Sequence, residues 1–198
     1  MDKLNNSFFG NSEAIINWSK VDITKEEAVA AKPRMNILEK LEDYVKKMPN
    51  VYFAANDNGA NEVADLVILS DNTVAFVHAK ASKTAKPALR IGDLQVVASQ
   101  AVKNVNFVIP APYSTNQVKR LYNNSIHNPS EMSFEEFQEA FFGSLEDINV
   151  KKEIWIVQPG ISKEKLEANP DNKAHTFLSY TELALNSAQI DFRLICSG

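Results

Sequence analysis

Three side chains suited to metal or phosphate chemistry lie on two neighbouring β-rich runs separated by a short turn. If Asp71 and Asn72 are the central residues of that turn, the register places Asp65 directly opposite His78, with Cβ atoms about 4.5 to 5.5 Å apart. The alternation of strand side chains places Lys80 on the same face. The sequence therefore predicts a carboxylate, an imidazole and an ammonium at one end of a hairpin.

Each of these groups has a chemical role at a phosphodiester. A carboxylate holds a hard cation such as Mg²⁺. A lysine orients or deprotonates an attacking water and stabilises charge on a phosphate, and a histidine ligates a softer metal or acts as a general base. The alternative is structural: Asp65 and His78 form a half-exposed ion pair, and Lys80 is a solvated residue at a strand end.

Basic residues continue beyond the hairpin. Lys80, Lys83, Lys86 and Arg90 place four cations within eleven residues with no acid between them. Such a run is either a nucleic-acid contact or a solvated loop. Gln100, on the helix expected next, could direct its amide toward the same end of the sheet.

Apolar periodicity and turn residues predict the elements that position these side chains. The expected helices and strands, in chain order, are helix 35–48, strand 51–55, hairpin strands 63–69 and 73–79, helix 90–103, a brief strand 107–110, helices within 113–146, strand 152–158 ending at Pro159-Gly160, helix 162–168, helix 181–186 and strand 192–195. The order α-β-β-β-α-β, with helical additions, indicates an α/β or α+β fold in which helices pack on a mixed sheet.

Length and composition indicate one soluble globular domain. The chain has 198 residues, 44% of them hydrophobic and 23% charged, which excludes a disordered tail, a collagenous fibre or a disulfide scaffold. We expect a single domain over 1–198, divided into an extension 1–31, a core 32–110 with the candidate site, a helical insertion 111–150 and a C-terminal part 151–198.

Charge and hydropathy limit the partners and the location. The net charge is −4, which argues against binding nucleic acid by bulk charge but leaves room for a local basic patch. There is no window of about 20 apolar residues and no signal-peptide core within 1–10. We therefore expect a cytoplasmic protein without a membrane partner.

The segment NEVADLVILSDNTVAFVHAKAS, followed by RIGDLQVVASQAVKN, resembles the restriction-endonuclease-like PD-(D/E)XK superfamily. The likeness is to a branch with an acid on one strand and His-x-Lys on the next, often found at the C-terminal end of DEAD/DEAH-box helicases. The matching positions are Glu62, Asp65, His78, Lys80, Arg90, Asp93, Leu94, Gln100 and Ala101. The segments VDITKEE and EIWIVQPGISKEKL resemble flanking parts of the same domain, so the likeness covers about residues 20–198, weakly over 110–150.

The resemblance implies a restriction-endonuclease-like core and a DNA endonuclease that depends on Mg²⁺ or Mn²⁺. Asp65 would bind the metal ion directly, and Glu62 or Glu39 would supply a second carboxylate. Lys80 would position the attacking water, and Gln100 would orient that water or a phosphate. Lys83, Lys86 and Arg90 would contact the nucleic acid.

His78 departs from the broad superfamily pattern, which has an acid there. A neutral imidazole is a poor ligand for Mg²⁺ and a better one for Mn²⁺ or Zn²⁺. We favour an enzyme that serves phage defence, restriction or repair, with His78 in the catalytic set and DNA as substrate. The alternatives are a module that has lost cleavage and binds nucleic acid or a protein such as a helicase or another defence component, and a purely structural partner. A homodimer is left open.

Overall fold

The computed structural model describes residues 16–27, 34–57, 62–108, 113–169 and 173–198. Its elements, in chain order, are α1 Ile37–Val45, β1 Val51–Asn56, β2 Leu66–Ser70, β3 Thr73–Ala79, α2 Ile91–Lys103, α3 Val105–Val108, α4 Thr115–Asn123, β4 Ser125–His127, α5 Phe134–Glu146, β5 Lys151–Ser162, α6 Lys163–Glu167, α7 Lys173–Asn186 and β6 Asp191–Ser197.

The six strands form one mixed sheet in the order β4-β1-β2-β3-β5-β6. The strands β1, β2 and β3 form an antiparallel meander, whereas β3, β5 and β6 run parallel. A parallel neighbour requires a crossover connection, and α2 lies in the crossover from β3 to β5. The expectation of an α/β fold is confirmed.

Two apolar cores, one on each face of the sheet, follow from strand alternation. Along β3, Phe76 packs into the core on the α2 side, whereas Val77 packs into the core on the α1 side. Helix α1 begins at a capping box formed by Asn36 and Glu39 and buries an apolar stripe against its core, as its periodicity predicts. The expected helix 35–48 is therefore confirmed, slightly shortened at both ends.

Residues 16–27, which we call the N-terminal strap, cross the α1 side of the sheet. Ile16, Trp18, Val21 and Ile23 of the strap are buried in that core. The Trp18 indole Nε1 donates to the Cys196 carbonyl at 3.1 Å, and the Ser82 amide donates to the Ile23 carbonyl at 2.8 Å. The described part of the expected extension is thus built into the fold.

Four local expectations were wrong or incomplete. Of the expected strand 107–110, residues 107–108 belong to the short helix α3, and 109–110 lie outside the described residues. The expected insertion contains the strand β4 at the sheet edge, and α7 begins before the expected 181. Strand β5 also continues through Pro159-Gly160 to Ser162, with an irregularity in its pairing with β6. Side chains hold this irregular part: Gln158 Oε1 accepts the Gly160 amide, and Ser197 Oγ donates to the Pro159 carbonyl.

Over the residues that the structure describes, the helices are too short or too polar to cross a lipid bilayer.

Candidate active site

The hairpin turn is as predicted, but its pairing stops before the candidate aspartate. Asp71 and Asn72 connect β2 to β3, and the pairs run from Ser70↔Thr73 to Leu66↔Val77. The Asp65 amide then donates to the Val77 carbonyl at 2.9 Å, so Asp65 does not pair directly with His78. The expected opposition was wrong because the backbone leaves the regular ladder at Asp65.

The side chain of Asp65 replaces the missing ladder contact. Its Oδ2 accepts the Ala79 amide at 2.7 Å. Burial raises the pKa of Asp65, and the nearby charges of Glu62 and Glu26 also raise it, whereas the Ala79 amide and the Lys80 ammonium lower it. Together these effects place the pKa of Asp65 at about 7. A carboxyl group with this pKa exchanges its proton near neutral pH.

Lys80 meets a carboxylate that the sequence analysis did not single out. Its Nζ lies 2.7 Å from Glu26 Oε1, and the same oxygen accepts the Ala81 amide at 2.9 Å. Both side chains are about one-third exposed, at 35% and 30%, so the pair is open to solvent. The strap therefore brings Glu26 to the end of β3.

The two other candidate carboxylates, Glu62 and Glu39, have different surroundings. Partial burial raises the pKa of Glu62, and the charges of Asp57, Glu27 and Glu26 raise it further, so Glu62 belongs to the acidic cluster around Asp65. Glu39 instead caps α1, where its Oε2 accepts the Asn36 amide at 2.9 Å. The carboxylate that reaches Lys80 thus comes from Glu26, and Glu39 has a structural partner.

His78 is buried. Only 3% of the residue is exposed, and strand alternation with Phe76 places it on the α2 side of the sheet. Burial lowers its pKa to about 4, so the imidazole is neutral at physiological pH. No hydrogen-bond partner for its buried Nε2 is found in the described part of the chain.

Gln100 is not brought together with Asp65 and Lys80 by any contact in the described residues. It occupies the exposed side of α2, and its side chain makes no hydrogen bond to Asp65 or Lys80 among the residues described. One turn later, Asn104 Nδ2 donates to the Val63 carbonyl at 2.8 Å. The C-terminal end of α2 is therefore attached to the segment that leads into Asp65.

The basic residues occupy the connection from β3 to α2. Lys83 is 80% exposed, with its Nζ 3.9 Å from Asp93 Oδ1, and Lys86 is also exposed. The Arg90 Nε is buried, and within the described ranges it has no hydrogen-bond partner. These cations all lie on the connection that follows Lys80.

A second buried aspartate, Asp57, fixes the segment before the site. Its Oδ1 accepts from Arg120 Nε at 2.6 Å, and its Oδ2 accepts the Val63 amide at 2.5 Å. Arg120 comes from α4, so the expected insertion contributes a structural ion pair. A contact across this sequence distance leaves no local pattern, which is why the sequence analysis missed it.

The carboxylate oxygens around Asp65 are of the chemical type that binds a hard divalent cation. Mg²⁺ and Mn²⁺ prefer carboxylate oxygens, which Asp65, Glu62 and Glu26 supply. Asp65 and Glu62 are the residues that would hold such an ion, because Glu26 is engaged by Lys80. Among the described residues, however, no three His, Cys, Asp or Glu side chains form a ready-made metal-binding group.

The chain was compared with protein families, curated proteins and solved structures. No family model matches it, and neither a curated protein nor a solved structure is significantly similar to it. The chemistry of this site is therefore argued from its own residues.

Proposed function

We propose that this chain is a metal-dependent phosphodiesterase that cleaves DNA, with Asp65 and Lys80 at its centre. The observation that carries the proposal is the Asp65 carboxyl group itself. It is largely buried, it has a pKa raised to about 7, and it lies within electrostatic reach of Glu62, Glu26 and Lys80 at a solvent-open end of the sheet. Strongly shifted carboxyl groups with a charged neighbour are typical of active sites.

A comparison with Asp57 supports a functional reason for Asp65. Asp57 is fully buried and neutralised by Arg120 at 2.6 Å. Asp65 receives one backbone amide, and in the described structure no salt bridge reaches it. Burying a carboxylate without a compensating cation is unfavourable. A bound cation would therefore stabilise the Asp65 carboxylate, whereas Asp57 is already compensated by Arg120.

The order of elements is consistent with a restriction-endonuclease-like core. One helix, α1, precedes the antiparallel meander of β1, β2 and β3, and α2 leads to the parallel strand β5. This is the α-β-β-β-α-β order that apolar periodicity and turn residues predict, and the resemblance implies a restriction-endonuclease-like core for the same elements. In it, the acid at the start of β2 and the lysine after β3 lie at the same end of the sheet.

The residues of the site have separate roles in the proposed reaction. When bound, the metal ion would supply a Lewis acid and a water of lowered pKa. Lys80 places a positive charge where negative charge builds on the scissile phosphate. Positive charges for the phosphates that flank the scissile one come from the connection after Lys80, at Lys83, Lys86 and Arg90.

A second candidate function is a nuclease-like module that binds nucleic acid or a protein partner without cleaving. Two observations favour it: Lys80 is already paired with Glu26, and no ready-made group of three metal ligands exists within the described residues. The two functions differ in whether a divalent cation and DNA together produce broken phosphodiester bonds.

The test is cleavage of supercoiled plasmid, linear duplex and single-stranded DNA with Mg²⁺ or Mn²⁺. Wild type should cut at least one of them only with a divalent cation, and Asp65→Asn and Lys80→Ala should each abolish cutting. Asp191→Asn is the control, because Asp191 is an exposed carboxylate at the opposite end of the sheet. No cutting by the folded wild type would favour the binding module.

A further inference from the structure

The Glu26 carboxylate contacts the segment that carries Lys80. A single carboxylate oxygen, Oε1, accepts both from the Lys80 ammonium at 2.7 Å and from the Ala81 amide at 2.9 Å. Rotation of the Glu26 side chain would therefore break both contacts together. This arrangement fixes the lysine relative to its own backbone.

Glu26 is itself held by contacts that do not involve Lys80. The Leu38 amide at the start of α1 donates to the Glu26 carbonyl at 3.1 Å, and the Ile37 amide donates to the Lys25 carbonyl at 3.1 Å. The buried strap residues and the bond from Ser82 to Ile23 anchor the segment before it. The backbone that carries the Glu26 side chain is thus fixed by contacts that do not involve the lysine.

We propose that Glu26 is a positioning residue that holds the Lys80 ammonium at the site, so that Lys80 acts on the substrate as a fixed cation rather than as a base. The inference rests on the proposed function for its catalytic meaning, but the contact itself does not. A carboxylate at 2.7 Å suits a charged ammonium, and a fixed cation can face a phosphate oxygen without first losing a proton. The N-terminal strap is then part of the site.

The discriminating variant is Glu26→Gln. The amide retains an oxygen that can accept the Ala81 amide, so a purely structural role would survive, but the charge that holds Lys80 is lost. Glu27→Gln is the matched control, because Glu27 is the next acid in the chain and contributes to the same local field. Glu27 forms no salt bridge with Lys80 among the residues described.

The first readout does not depend on nuclease activity. Brief labelling with an amine-reactive reagent, followed by mass spectrometry, measures how available each lysine is, with the exposed Lys83 as internal standard. Glu26→Gln should raise the labelling of Lys80 several-fold relative to Lys83, and Glu27→Gln should leave it unchanged. Equal labelling of Lys80 in wild type and Glu26→Gln would overturn the inference, whatever the protein does to DNA.

The second readout separates positioning from substrate binding. If wild type cleaves DNA, Glu26→Gln should lower kcat by about 10- to 100-fold with little change in KM, as expected for a misplaced catalytic group. An unchanged kcat would overturn the catalytic part of the inference. If the wild type cleaves nothing, the proposed function fails, and the labelling result alone decides whether Glu26 fixes Lys80.

Discussion

At the scale of single residues, Asp57 and Asp65 show how two buried carboxylates can have opposite consequences for stability. Asp57 is bound by Arg120 and a backbone amide, whereas the pKa of Asp65 is raised from 3.8 to about 7, first by burial. A raised pKa means that the folded state binds a proton more tightly than the unfolded state. The contribution of Asp65 to stability is therefore present below about pH 4 and is lost as the pH rises through about 7.

This contrast predicts opposite effects of the same chemical change. At pH 8, Asp65→Asn should stabilise the fold by up to about 4 kcal/mol, because the amide keeps an acceptor for Ala79 without a buried charge. Asp57→Asn should destabilise it by about 3 to 5 kcal/mol, because the buried ion pair with Arg120 loses its negative charge. Urea unfolding at pH 8 measures both. Destabilisation by both substitutions would show that Asp65 is structural.

His78 gives a second pH dependence with the opposite sign. Burial lowers its pKa to about 4 from 6.5, so the folded state binds its proton less tightly than the unfolded chain. Stability should therefore fall as the pH decreases from about 6.5 to 4. Unfolding midpoints across that range should decline less steeply in His78→Leu than in wild type. Equal slopes would contradict the burial of a neutral imidazole.

At the scale of elements, the irregular part of β5 supports the segment that carries Lys80. Gly160 packs against Ser82: a Cβ atom on Gly160 would clash with the Ser82 hydroxyl and lie 2.6 Å from the Ser82 Cβ. Ser82 is buried and is two residues beyond Lys80. Close packing of β5 on this segment thus helps to fix the lysine position.

Gly160→Ala should therefore destabilise the fold by about 1 to 3 kcal/mol through overpacking. The matched control is Gly143→Ala in α5, where an added Cβ meets nothing within 4 Å and helix propensity should increase stability by about 0.5 to 1 kcal/mol. Thermal unfolding of both variants measures the difference. The double substitution Ser82→Gly with Gly160→Ala should recover part of the loss, and a tolerated Gly160→Ala alone would contradict the packing.

Local patterns predicted the elements that carry the site better than the site itself. The hairpin turn at Asp71-Asn72, the helix α2 and its inward face from Leu94 to Ala101 are confirmed, because periodicity and turn chemistry are short-range signals. The position of Asp65 off the ladder depends on a bond between its side chain and Ala79, which strand alternation does not encode. Glu26 was missed because the strap has no periodicity and meets Lys80 only through the tertiary fold.

At the scale of the whole molecule, charge distribution limits how the protein could engage DNA. With a net charge of −4, the chain as a whole repels a polyanion. The cations at Lys83, Lys86 and Arg90 lie on one connection next to the site. Binding should therefore depend on a few phosphate contacts and should weaken steeply with salt.

Alanine substitution of Lys83, Lys86 and Arg90 together should weaken DNA binding in the presence of Ca²⁺. It should also reduce the slope of log affinity against log salt by about 2 to 3, because each phosphate contact contributes roughly one unit. The control removes three exposed lysines elsewhere, Lys47, Lys151 and Lys173. Fluorescence anisotropy at several salt concentrations measures the slopes. Equal losses in the two triple variants would contradict a local binding surface.

The most direct test of the central claim is single-turnover cleavage of supercoiled plasmid by wild type and Asp65→Asn, side by side. Asp65→Asn should be folded and at least as stable as wild type, so a loss of activity could not be attributed to unfolding. The account predicts cleavage by wild type only with Mg²⁺ or Mn²⁺ and a rate at least about 100-fold lower in Asp65→Asn. Equal cleavage by the two proteins, or cleavage that persists in a metal chelator, would contradict it.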